Sequence, residues 1–157
     1  MQKESPIYCA LKKIAQNTAD FETFKENLVS KLLGREPGSG RDHINPYSYI
    51  EYPMRDIQIS NIANSDNLVW RADMQIRNIK LGVQGGHGVA IGRQIESPIA
   101  VRMNSEGTYD IVDGFHRPIQ AVMNGDTTML AFVVGETDGL TLKEFYDKAK
   151  AELQVVD

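Results

Sequence analysis

Residues 98–134, PIAVRMNSEGTYDIVDGFHRPIQAVMNGDTTMLAFVV, constrain the fold more than any other stretch of this chain. An apolar run at 98–103, turn composition from Asn104 to Gly107 and a second run at 108–112 spell a β-hairpin. The second strand then meets the corner Asp113-Gly114-Phe115-His116-Arg117. Pro118 suits the first turn of a helix, where its missing N–H costs nothing. Ile119, Val122 and Met123 share one helical face before Gly125 ends it, and a further strand follows to residue 134. A helix starting at Pro118 is expected to aim backbone N–H groups and its positive dipole end over the corner, as in an anion site.

The remainder divides at Tyr49, where helical periodicity gives way to alternation. Residues 1–49 read as an N-terminal helical arm and loop, and residues 50–157 as an α/β body with a mixed (α+β) sheet and a C-terminal helix, the whole one compact unit. In the arm, residues 6–16 are amphipathic. Asp20 can cap a second helix in which Phe21, Phe24, Leu28 and Leu32 form a core-facing stripe, and Gly34 ends it. Residues 34–49 are rich in Gly, Pro and Ser and read as a loop. Residues 50–59 alternate as a strand with an irregular start at Pro53. A helical stretch within 61–81 carries Trp70, expected in the core. Thr141 and Glu144 form a capping box, with Leu140 and Phe145 as its staple, for a helix running to Leu153 on a Phe145, Ala149 and Leu153 stripe.

Between helix and hairpin lies GVQGGHGVAIG, five glycines in the eleven residues 82–92. No regular helix tolerates that composition, and glycine-rich loops can wrap phosphates with backbone N–H groups or serve as lids. The run lacks the G-x-x-x-x-G-K-[ST] pattern. Its position before the Pro98 strand makes Gly86 and His87 candidates for the same site as the corner.

Composition excludes several classes. A net charge of −4 and a pI near 5.4 argue against a broad grip on nucleic acid, which needs many neutralised phosphates. The acidic excess is C-terminal: residues 113–157 hold 4 basic against 8 acidic side chains. Arg55, Arg71, Arg77, Arg93 and Arg102 are scattered through the middle and read as a solvated surface. Cys9 is the single cysteine, so no internal disulfide forms and a reducing cytoplasmic setting is expected. No secretory signal or membrane-length apolar run is read. Cys9, His43, His87 and His116 lack the short paired spacing of a zinc site, so no metal ligands are assigned, and no G-x-S-x-G elbow marks a serine hydrolase.

The segment IVDGFHRPIQAVMNGDTTMLAFVV, extended upstream through SPIAVR to YPMRDIQIS, resembles the ParB/sulfiredoxin superfamily signature over residues 52–136. In that superfamily a strand enters a Gly-x-(His/Arg)-Arg corner, followed by a helix and a strand. The resemblance implies a nucleotide site for ATP or CTP, with Mg²⁺ as a possible companion. Gly114, Phe115 and Arg117, together with Gly86 and His87, would bind phosphate, and Asp113 and His116 would be catalytic. The Asp-Gly-x-His-Arg pattern is closest to the free serine kinases, which implies phosphoryl transfer or nucleotide hydrolysis. Sulfiredoxin chemistry is not expected, because Phe115 occupies the place of its cysteine. Nor is ParB-type DNA loading expected, since about 23 residues follow the last predicted strand (157 − 134). The alternatives are a non-enzymatic protein- or DNA-binding module of a mobile element, or a ParB-like nuclease, the latter weakened by the lack of a dense acidic cluster. A homodimer is compatible with either class.

Overall fold

The computed structural model describes residues 4–33, 45–82, 89–114 and 116–153. Among these, five α-helices surround a four-stranded mixed sheet, the α/β class expected. The sheet consists of β1 (Met54–Gln58), β2 (Ile99–Met103), β3 (Tyr109–Asp113) and β4 (Thr128–Val133), in the order β1-β4-β2-β3. β4 runs antiparallel to β1 and parallel to β2, and β2 and β3 form the expected hairpin. Residues 129–133 are fully buried, so β4 reads as a continuous apolar run rather than an alternating one, as a strand covered on both faces must.

Helices α1 (Pro6–Gln16) and α2 (Phe21–Leu33) join α5 (Leu142–Leu153) in one layer, with α1 packed on β4. Ser5 caps α1 by accepting the Tyr8 N–H, and its own N–H and hydroxyl donate to Asp56 of β1, which pins the helix start to the sheet. Aromatic edges knit the layer together: Tyr8 lies 5.0 Å from Phe145, Phe24 lies 5.4 Å from Tyr146, and Phe21 lies 5.8 Å from Tyr146. Lys12 sits between Glu4 at 2.9 Å and Glu152 at 3.1 Å. The hydrogen bond to Glu4, chiefly, holds its ammonium above the ordinary lysine range. A raised folded-state value means the contribution is fully present below pH 10.5 and is lost only as the pH climbs through that higher range. The N-terminal helices are therefore part of the main core.

The α5 cap follows the sequence: Thr141 Oγ1 accepts the Glu144 N–H, and Glu144 Oε1 accepts the Thr141 N–H, each at 3.2 Å. Two core assignments need correction. Leu153 is 52% exposed at the end of α5, whereas Phe145 and Ala149 are buried. Trp70, in α3 (Ser65–Lys80), is 61% exposed. The buried stripe of α3 is Leu68 and Ala72, and at 100° per residue Trp70 stands 200° from either, on the outer face.

Gly139 illustrates how tightly the sheet edge is closed. At φ +124° it leads into Leu140, which pairs with Met54, and a Cβ there would stand 2.6 Å from the Met54 carbonyl oxygen. Gly139→Ala is expected to lower stability by about 1–3 kcal/mol through strain and backbone displacement, seen as a reduced urea midpoint. An unchanged midpoint would refute the packing at this edge.

Candidate anion site at the β3 to α4 corner

The corner is built at the end of a bulged strand. Val101 pairs with Ile111 but Ala100 pairs with Asp113, so β3 carries one extra residue just before the turn. Such a bulge re-aims the side chains beyond it. Asp113 thus completes a row across the sheet, Met54, Phe132, Ala100 and Asp113, all buried. Tyr49 lies over this row: its ring is 5.6 Å from Phe132, and its hydroxyl donates to Asp113 Oδ2 at 2.5 Å. The other carboxylate oxygen accepts the Gly114 N–H at 2.9 Å.

Gly114 turns the chain at φ +91°, a conformation that favours glycine. A Cβ there would lie 2.9 Å from Ile99 Cγ2 and 2.8 Å from Arg117 Nη1. Arg117 opens α4 (Arg117–Met123), and its guanidinium folds back across Gly114 to donate to the Pro98 carbonyl at 2.8 Å. The helix begins one residue before Pro118 and ends in the motif glycine allows: Gly125, at φ +81°, donates to Val122 O, and Asp126 donates to Ala121 O.

Backbone donors supply less than expected at this helix start. The Arg117 N–H is bonded to Gly114 O and the Gln120 N–H to His116 O, each at 3.1 Å, and Pro118 has none. At seven residues α4 also has a modest dipole. An anion at this corner would have to be held by side chains.

Those side chains converge on a cleft of about 250 Å³ lined by Arg93, Glu96, Ser97, His116, Arg117 and Gln120, among others. His116 and Arg117, adjacent in the chain, both line the cleft, and Gly114 lies against the Arg117 guanidinium. Asp113 is not among the lining residues and faces Tyr49 instead. Phe115, Gly86 and His87 lie outside the described residues. Sequence reading missed three contributors. Arg93 is exposed, as the surface reading expects, and also lines the cleft; its place directly after Gly92, at the end of the glycine-rich run, was the available signal. Gln120 lies inside the helical pattern without a signal of its own, and Tyr49 lies in the loop expected there but is 1% exposed. A larger open groove of about 1010 Å³ between the α3 start and the hairpin turn carries Asp66, Glu106 and Asp110, and its negative charge disfavours phosphate.

No protein-family model matches this chain, and no curated protein matches its sequence. Among the described residues no three histidine, cysteine or carboxylate side chains gather as a metal site, and no helix is long and apolar enough to cross a membrane. A Mg²⁺ ion that arrived on phosphates would need only one or two carboxylates, and Glu96, which lines the cleft, is paired with Lys31 at 3.0 Å.

Two substitutions test the geometry. Gly114→Ala should cost about 1–3 kcal/mol and displace Arg117 or Ile99, so that both thermal stability and cleft affinity fall. Tyr49→Phe removes a donor from a buried carboxylate and should cost about 1–3 kcal/mol in chemical denaturation. Wild-type stability in Tyr49→Phe would show that the Tyr49 bond does not hold the corner.

Proposed function

We propose that this chain is a nucleotide-binding protein of the ParB/sulfiredoxin type, and that the corner cleft holds the phosphates of ATP or CTP for phosphoryl transfer or hydrolysis. The observation that carries this reading is the convergence of Arg93, His116 and Arg117 on one cleft at a glycine corner. Two guanidinium forks and an imidazole are side chains suited to binding phosphate oxygens. At about 250 Å³ the cleft falls below the roughly 300–1,000 Å³ of whole-ligand pockets, which suits phosphates with the base lying outside.

The residue roles follow from position. Arg117, steadied by its bond to Pro98, and Arg93 would stabilise the charge that develops on a transferred phosphoryl group. His116 would hold or pass a proton at the reacting oxygen. Asp113, paired with Tyr49, fixes the corner rather than acting as the base. A bound nucleotide supplies the transferable group, and Glu96, which lines the cleft and pairs with Lys31 at 3.0 Å, would have to share its carboxylate with an accompanying Mg²⁺.

Thermal shifts with ATP, ADP, CTP and GTP in the presence of Mg²⁺ test the reading. One nucleotide should raise the melting temperature, by about 2.7 kcal/mol of stabilisation at a hundredfold excess over Kd, and Arg93→Ala should weaken its affinity about ten- to hundredfold. No response to any nucleotide would overturn the proposal. Arg117→Ala should weaken binding similarly but also lower stability, because the Pro98 carbonyl loses its donor.

A second reading, a protein- or DNA-binding module, is favoured by the outer face of α3, where Trp70 and Val69 are 61% and 47% exposed. Trp70 is the one tryptophan in the chain. A blue shift of its emission on adding duplex DNA would favour DNA as the partner, and an unchanged spectrum would count against it.

A further inference from the structure

We infer that Gln120 is a positioning residue that presents Arg93 to the cleft by clamping the backbone turn at residues 90–93 onto α4, an inference that rests on the phosphate reading above. Gln120 is 4% exposed, and its amide pairs with the backbone of Ala90 in both directions. Oε1 accepts the Ala90 N–H at 2.9 Å, and Nε2 donates to the Ala90 carbonyl at 2.8 Å. Nε2 also donates to Asn124 Oδ1 at 3.0 Å, and Asn124 Nδ2 donates to the Arg93 carbonyl at 2.8 Å. Two side chains one helical turn apart thus grip both ends of a four-residue turn.

The turn is closed internally by the Arg93 N–H on Ala90 O at 3.2 Å, with Gly92 at φ +77° in the third position, as a type II turn requires. Its tip is solvent-facing: Ala90 is exposed and Ile91 is 58% exposed, so burial alone does little to hold the segment. Fixing backbone dihedrals costs free energy, and an untethered turn would meet that cost only on binding, at the expense of affinity. The clamp removes part of this cost beforehand. Only a primary amide offers one acceptor and two donors in this arrangement. A carboxylate lacks the donors, and an aliphatic chain lacks both.

The test uses pyrophosphate affinity by calorimetry and amide hydrogen exchange at Ala90, on wild type, Gln120→Met, Arg93→Ala and the double variant. Methionine keeps the volume and helix preference. Gln120→Met should speed exchange at Ala90 and weaken pyrophosphate binding about ten- to hundredfold, as Arg93→Ala does, and the double variant should bind no more weakly than Arg93→Ala alone. Additive losses would mean that Gln120 acts independently of Arg93 and would overturn the inference. So would wild-type affinity in Gln120→Met alongside lost affinity in Arg93→Ala, which leaves the phosphate reading intact. A wild-type protein that does not bind pyrophosphate would instead overturn the phosphate reading, and this inference with it. Should Gln120→Met fail to fold, Asn124→Ala, at an exposed position releasing the other end of the turn, serves the same comparison: weakened binding that is non-additive with Arg93→Ala supports the clamp, and unchanged binding overturns it.

Discussion

The close approach of Gly114 to Ile99 is the constraint on which the functional end of the molecule depends. With its left-handed φ and no Cβ, the chain can leave β3 against the side of β2, and α4 starts within reach of Pro98. Any larger side chain would lift the corner off the sheet and carry Arg117 with it. The bulge in β3 does the complementary work on the other side, turning Asp113 toward Tyr49. One residue therefore faces the cleft layer and its neighbour the buried row, and the corner is fastened from both faces of the sheet.

This arrangement separates support from chemistry. Tyr49, Asp113 and the Pro98 carbonyl hold the backbone, and the cleft is lined by Arg93, His116 and Arg117. A seven-residue helix whose Arg117 N–H is already bonded and whose Pro118 has none contributes little field of its own, so recognition of an anion would fall to the cationic side chains. Two of them lie on the corner and the third arrives from a segment more than twenty residues upstream. The amide clamp of Gln120 and Asn124 is what joins the two pieces.

Local chemistry was legible where it acted over a few residues. The hairpin, the proline-led helix and its glycine stop, and the Thr141 to Glu144 box each rest on near-neighbour hydrogen bonds or fixed dihedrals, and each lies where its residues indicated. Trp70 and Leu153 were misjudged because composition says that a large apolar residue gains by burial but not which face of a helix finds a partner. His116 and Arg117 were readable as candidates through their adjacency to the glycine corner. Arg93, Gln120 and Tyr49 were not, since each acts on a residue 30 or more positions away or across an intervening strand.

The sequence by itself determined the α/β class, the strand-corner-helix-strand order and the glycine at the tight turn, because these follow from side-chain periodicity and backbone sterics along contiguous residues. Only the tertiary structure decided that the N-terminal helices share the core with α5, that Asp113 turns to Tyr49, and that Arg93 lines the same cleft as Arg117. Those outcomes depend on the register of non-adjacent strands and on a bulge one residue long, and a shift of one residue in either sends every side chain beyond it to the opposite face of the sheet.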